Sequence, residues 1–113
     1  MRKMIKKGNK ISKKEYLRSL DMQKLLTIKF EKIMKNYDFL ITLSTGSVAP
    51  KIGKNEKKDT CLIWSFLGAP SISLPIFYDE ERGLPFGLQI ISSRYNDFSL
   101  IDFSNKIIKK IKK

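Results

Sequence analysis

Histidine is absent from this 113-residue chain, and cysteine occurs once, as Cys61. Without histidine, the chain has no imidazole base, no Ser-His-Asp triad and no histidine metal ligand. A single cysteine excludes an intramolecular disulfide and a multi-cysteine zinc site, so the sequence predicts no metal and no other cofactor. A lone cysteine is also typical of the reducing cytoplasm, which is where we expect the protein to be.

Long apolar runs are missing too. No segment approaches the ~20 apolar residues that a membrane-spanning helix needs. The basic residues 1–10 are not followed by the apolar run of a secretion signal. We therefore expect a chain that makes no membrane contact.

Arginine is scarce, although the net charge is +12 and Lys and Arg together number 23. Lysine is a poorer bidentate reader of phosphates and bases than arginine, so the charge favours a lysine-rich composition over a specific nucleic-acid site. A small basic module that binds nucleic acid or another protein remains the alternative interpretation. Against it, most aromatic residues fall at apolar positions and are predicted to be core: Tyr16, Phe30, Phe39, Trp64, Phe66, Phe77 and Phe98.

The chain divides into a basic lead, residues 1–11, which we predict to be flexible, and a single unit, residues 12–113. Ser12 and Glu15 form a capping box, which predicts a helix start. Apolar residues at three- and four-residue steps then predict a helix over roughly 13–36 with one buried stripe. The stripe consists of Tyr16, Leu17, Leu20, Leu25, Leu26, Phe30, Ile33 and Met34.

The remaining patterns predict a strand, a loop, a short helix, two strands joined by a turn, and a final helix. Pro75 cannot donate to a strand ladder, which predicts an edge or a bulge at that point. Gly87 suits a close approach of backbones. The predicted ranges are 39–43, 44–58, 60–67, 71–77, 84–92 and 97–111, with the turn at 79–83.

Catalytic motifs are missing from this pattern. The chain contains no G-x-S-x-G sequence and no phosphate-binding P-loop. Residues 44–47 are small and rich in hydroxyl groups, but the spacing indicates no base that would activate them. The carboxylates of residues 79–81 lie in the predicted turn, where they are expected to be solvated. The sequence therefore assigns no catalytic residue.

Three segments carry a family resemblance. Residues 37–42, Y-D-F-L-I-T, resemble the Y-D-x-L-L-T-P strand near the end of amidase-signature enzymes, although Leu43 replaces the proline. Residues 61–75 resemble that family's run ending in W-T-x-L-G-x-P-x-x-x-x-P. Residues 83–91, G-L-P-F-G-L-Q-I-I, are similar to its G-L-P-x-G-[LV]-Q-[LIV]-[LIV]. Ile11-Ser12 with Tyr16, Ala49-Pro50, and Asn96-Asp97 with Leu100 also fit the family's pattern, so the resemblance covers about residues 8–113.

This resemblance implies the fold and the chemistry. It implies an α/β chain that is the C-terminal fragment of a mixed-sheet α/β/α sandwich, incomplete on its own. Enzymes of the family cleave amide bonds through a Ser-Ser-Lys acyl-enzyme mechanism, and those residues precede the region matched here. No residue of this chain corresponds to them, so we expect the chain alone to be inactive. The pair Trp64-Ser65 resembles general amidases more than the glutaminase subunit of amidotransferases.

The resemblance also suggests a substrate pocket and a partner. The loop after Thr42 and the short helix at Trp64 resemble walls of the family's pocket, so Thr45 and Trp64 are the candidates for substrate contact. Core packing is the alternative role of Trp64. The expected partner is an N-terminal amidase segment or a second amidase chain, with a small amide substrate only in the complete enzyme and no specific nucleic acid. A truncated gene, a split enzyme and a repurposed remnant all fit this pattern.

Overall fold

A computed structural model describes residues 2–54 and 60–111 of the chain. Its elements are α1 (Arg2–Gly8), α2 (Lys13–Met34), β1 (Leu40–Leu43), α3 (Leu62–Leu67), β2 (Ser71–Asp79), β3 (Leu84–Ile91) and α4 (Asp97–Ile111). From residue 12 onward, the order and type of these elements confirm the sequence prediction. Part of the predicted loop, residues 55–59, lies outside the described residues.

The start of α2 shows the predicted capping box. The backbone N–H of Ser12 donates to the Glu15 carboxylate at 2.8 Å, and the Ser12 hydroxyl accepts from the Glu15 N–H at 3.3 Å. Two hydrogen bonds from Ser12 lower the pKa of Glu15 below the usual 4.5. The bond from the Ser12 backbone contributes most, and the bond with its hydroxyl contributes less. The basic lead before this cap contains α1, a short helix that the sequence did not predict.

The three strands form an antiparallel sheet in the order β1-β3-β2, which confirms the predicted hairpin of β2 and β3. Leu88 in the central strand lies opposite both Leu43 and Leu74. The β2–β3 register shifts between Leu74 and Phe77, around Pro75. The predicted irregularity at this proline is therefore confirmed, and β1 and β2 form the two edges of the described sheet.

Helices cover both faces of the sheet. Since side chains alternate along β3, this strand contributes residues to the core on each face. Ile91 points to the α2–α3 face, where it packs with Phe30, Met34, Leu67 and Ala69. Ile90 points to the opposite α4 face. There it packs in a cluster with Leu74 and Leu100, and the partly buried Phe39, Ile72, Ile76, Leu88, Phe103, Ile107 and Ile108 surround that cluster. The layered helix–sheet–helix arrangement is therefore confirmed.

The stripe along α2 is buried only near the C-terminal end of the helix. Phe30 and Met34 are buried, whereas Leu17, Leu25 and Ile33 are about half exposed. The prediction of one buried stripe is therefore wrong, because the described residues leave the N-terminal part of α2 uncovered and Ile33 is exposed near its C-terminal end. Four aromatic residues predicted to be core are also exposed: Tyr16, Phe66, Phe77 and Phe98.

None of the described helices is a candidate membrane span. Within residues 2–54 and 60–111, none combines the length and the apolar composition that crossing a bilayer requires.

Candidate functional site

A group of polar side chains gathers on the α2–α3 face of the sheet, between the end of β1 and the start of α3. We call this group the polar cluster and define it as Ser44, Thr60, Cys61, Ser73 and Gln89. Ser44 follows β1 directly, while Ser73 lies in β2 and Gln89 in β3. Ser44 and Gln89 are buried, so their polar atoms depend on partners within the protein.

The centre of the polar cluster depends on a glycine in the middle strand. The Ser44 N–H donates to the Gly87 carbonyl at 2.8 Å, which continues the β1–β3 pairing beyond β1. The hydroxyls of Ser44 and Ser73 hydrogen-bond to each other across β3. A Cβ on Gly87 would lie 2.5 Å from Ser44 Oγ and would also contact Ser73 Oγ. Gly87 therefore has no room for a side chain, although the groups that crowd it are serine side chains and not the backbone that was predicted.

The start of α3 closes the polar cluster from above the sheet. The Ser44 carbonyl accepts hydrogen bonds from the Thr60 hydroxyl and, at 3.3 Å, from the Cys61 thiol. The Gln89 amide N–H donates to Cys61 Sγ at 3.3 Å. Its carbonyl accepts from the Trp64 indole N–H at 3.1 Å. Because an indole N–H can only donate, this contact fixes the orientation of the Gln89 amide.

The two residues predicted to contact substrate lie at opposite ends of this network. Thr45 is half-buried next to Ser44, and its hydroxyl donates to the Ser47 carbonyl. Trp64 is also half-buried, and its ring lies 6.2 Å from the Phe30 ring between centroids. Trp64 thus joins the core while its N–H reaches the polar cluster. Substrate contact by either residue stays a prediction.

Sequence reasoning did not find Ser73 or Gln89 as site residues. Gly87 and Gln89 are two apart on one strand, so period-two alternation places them on the same face. That signal was present in the sequence. The partner of Ser44 was not readable in the same way, because Ser73 is 29 residues away and reaches it only through the strand register.

The side chains of the polar cluster limit its chemistry. They comprise hydroxyls, a thiol and an amide, with neither a carboxylate nor an amine to accept a proton from a serine. In the part of the chain that the structure describes, no three His, Cys, Asp or Glu side chains come together as a potential metal site. The arrangement therefore suits holding the backbone of these elements in place.

Sequence comparison relates the chain to amidases. Residues 1–101 match the family model described as Amidase. A glutamyl-tRNA(Gln) amidotransferase subunit of Borreliella burgdorferi is 39% identical over 99 residues, covering 80% of this chain and 20% of the relative. Fatty acid amide hydrolase of Medicago truncatula is 34% identical over 85 residues, covering 64% of this chain and 14% of that protein. The chain spans about a fifth or less of these relatives.

Solved structures show the same fold. A crystal structure of an amidase superposes with a TM-score of 0.73 at 24% identity, covering 85% of this chain and 25% of that one. A 6-aminohexanoate cyclic dimer hydrolase gives a TM-score of 0.67 at 22% identity, covering 87% of this chain and 25% of that one. The α/β architecture is therefore that of part of a larger amidase fold.

Proposed function

The chain belongs to the amidase family, and from this premise we propose that it forms the C-terminal portion of an amide-bond hydrolase. The observation that carries the proposal is the match of residues 1–101 to that family, in a chain that spans about a fifth of its curated relatives. The family resemblance implies a Ser-Ser-Lys acyl-enzyme mechanism, and no residue here corresponds to those three. We therefore propose that these 113 residues alone do not hydrolyse amides.

In this proposal, the polar cluster supports one wall of the substrate pocket. The hydrogen bonds to the Ser44 carbonyl hold the loop after β1 against the start of α3. That contact keeps Thr45 and Trp64 on adjoining elements, where both can face a small amide substrate. Their side chains would orient the substrate, while the nucleophile and its base would come from the remainder of the enzyme.

Two observations favour different subclasses of the amidase family. The pair Trp64-Ser65 favours a general amidase, whereas the relative of 39% identity is a subunit of an amidotransferase. Because the second observation extends over 99 residues, we propose the amidotransferase-type branch. The proposed partner is accordingly an N-terminal amidase segment or a second amidase chain. We place the protein in the cytoplasm, on the support of its lone cysteine.

A chimera tests the proposal. The 113-residue chain replaces the matched 99 residues of the Borreliella burgdorferi relative, and the same protein with those residues deleted is the control. Acetamide, benzamide and glutamine are assayed with the chimera, the control and the isolated chain. We expect hydrolysis only by the chimera. A folded but inactive chimera, or hydrolysis by the isolated chain that disappears when one of its own serines is replaced, would overturn the proposal.

The same chimera tests the pocket wall. Trp64→Phe keeps an aromatic ring in the core but removes the indole N–H that Gln89 accepts. If this wall contacts the substrate, KM or kcat should change while the thermal stability falls only slightly. If Trp64 acts through packing alone, the kinetic constants should stay those of the unsubstituted chimera.

A further inference from the structure

The two edges of the described sheet differ in their ability to accept another strand. In β2 the register shifts between Leu74 and Phe77, and Pro75 within that shift has no N–H to donate. In β1 all four residues pair in unbroken register with β3, from Leu40 opposite Ile91 to Leu43 opposite Leu88. Prolines and bulges are the features that protect a sheet edge from pairing, so β1 is the more receptive edge.

The backbone of β1 presents hydrogen-bonding groups outward at two residues. The Ser44 N–H donates to the Gly87 carbonyl, so Ser44 bonds toward β3. In an antiparallel pair, alternate residues bond toward the same neighbour. The N–H and C=O groups of Ile41 and Leu43 therefore point away from β3, to the open side of β1. An added strand would find two donors and two acceptors there.

The side chains of these same two residues are also uncovered. Ile41 and Leu43 are 58% and 44% exposed. They lie opposite Ile90 and Leu88, whose side chains point to the α4 face. On that face α4 packs mainly on β2 and β3, and its Phe103 stacks on Phe39 just before β1. Next to it, a groove of about 870 Å³ has a mixed lining, in which Ile41 and Phe103 lie beside polar residues such as Asn96 and Ser99.

We propose that the outer edge of β1 is the docking site for a strand from the part of the amidase that these 113 residues do not contain. The inference rests on the proposed function. It adds which edge of the sheet the remaining part of the amidase joins and which structural elements that part supplies. The incoming strand supplies backbone partners to Ile41 and Leu43. An apolar element that accompanies it covers their side chains on the α4 face.

The charge of the chain argues for this occupant over a second copy. Each copy carries a net charge of +12, so two copies repel each other electrostatically. The Borreliella burgdorferi relative is only 20% covered by this chain, so most of that protein lies outside the matched region. A strand of the remaining amidase is therefore the occupant that agrees with both the charge of the chain and its partial coverage of the relative.

Amide hydrogen exchange measures the docking directly. We compare the exchange rates of Ile41 and Leu43 in the isolated chain with those in the chimera. Strand addition should slow both amides about tenfold or more, because a paired strand amide exchanges only on local opening. The amide of Ile72 in β2, which faces β3, is the internal reference, and the outward amide of Ser73 is the matched edge control.

Substitutions provide a second measurement. The deletion control of the Borreliella burgdorferi relative serves as a separate bait, and the tagged 113-residue chain is tested for retention on it. Ile41→Lys and Leu43→Lys should reduce retention about tenfold, since each places a charge in an apolar contact. The Tyr78→Lys chain, changed at a residue of β2 that is 63% exposed, should be retained on the bait like the wild type.

The outcomes separate this inference from the proposed function. Slow exchange at Ile41 and Leu43 in a chimera that hydrolyses nothing supports the docking site and contradicts the function. Hydrolysis with fast exchange at both amides does the reverse. The inference is overturned by unchanged exchange at the β1 edge or by loss of binding in Tyr78→Lys alone. A wild-type chain that pairs with itself through β1 also overturns it.

Discussion

Replacing Gly87 with alanine tests whether the polar cluster needs a strand position without a side chain. The added Cβ would lie 2.5 Å from Ser44 Oγ and 3.0 Å from Ser44 Cβ, and it would also contact Ser73 Oγ. Either the flanking strands move apart or both hydroxyls rotate away and lose their mutual hydrogen bond. Overpacking costs about 1–3 kcal/mol and the lost bond about 1 kcal/mol, so the free energy of unfolding should fall by about 2–4 kcal/mol.

Urea denaturation at low protein concentration, followed by the fluorescence of Trp64, measures this effect. Trp64 is the only tryptophan and donates to Gln89 beside the altered position. Gly8→Ala is the matched control, because a Cβ there meets nothing within 4 Å. Adding Ser73→Ala to Gly87→Ala should cost less than the sum of the two single substitutions. A Gly87→Ala chain within about 0.5 kcal/mol of the wild type would refute the close contact.

Four further predictions follow from the fold. Ile90→Asp places a charge at a fully buried position and should abolish folding at a cost above about 4 kcal/mol, whereas Ile41→Asp should leave the circular dichroism of the isolated chain unchanged. A folded Ile90→Asp chain would contradict the strand register. The lowered pKa of Glu15 means that its capping bonds stabilise α2 at pH values above 4.5, and that this contribution is lost as the pH falls through the lowered pKa. Helicity in an acid titration should therefore fall less steeply in Glu15→Gln, and identical titration curves would argue against the capping role. Nucleic-acid binding, followed by fluorescence anisotropy at ~150 mM salt, should be weak and equal for several DNA and RNA sequences; sequence-selective binding would favour the basic-module alternative. The isolated chain should bind a hydrophobic dye through the exposed part of α2, and a cooperative monomer without dye binding would contradict a partial fold.

Local chemistry was sufficient to predict those elements whose ends carry a clear signal. Ser12 and Glu15 mark the start of α2, and Gly68 ends α3 in the left-handed conformation at a φ of 66°. Pro75 marks the irregular part of β2. In contrast, α1 was not predicted, because residues 2–8 are mostly basic and show neither an apolar period nor a cap. The sequence of that segment therefore contains no pattern that predicts a helix.

The candidate site was harder to predict than the fold, because its contacts are long-range. The alternation of β3 places Gly87 and Gln89 on one face, and this much follows from the sequence. The meeting of Ser44 with Ser73 depends on two separate strand registers relative to β3. Those registers result from how the three strands align in space. No periodic pattern along the chain specifies them, so the polar cluster became visible only in the structure.

The exposed apolar residues indicate what kind of structure would complete the fold. The apolar period of α2 is satisfied at Phe30 and Met34, which pack against the Ile91 face of the sheet, but not at Leu17 or Leu25. The exposed Ile41 of β1 lies on the opposite, α4 face. Uncovered apolar side chains thus occur on both sides of the sheet, and a single helix or loop laid on one face would cover only one of these sets. A strand that extends the sheet, with helices attached on both sides, covers both and continues the same layered architecture.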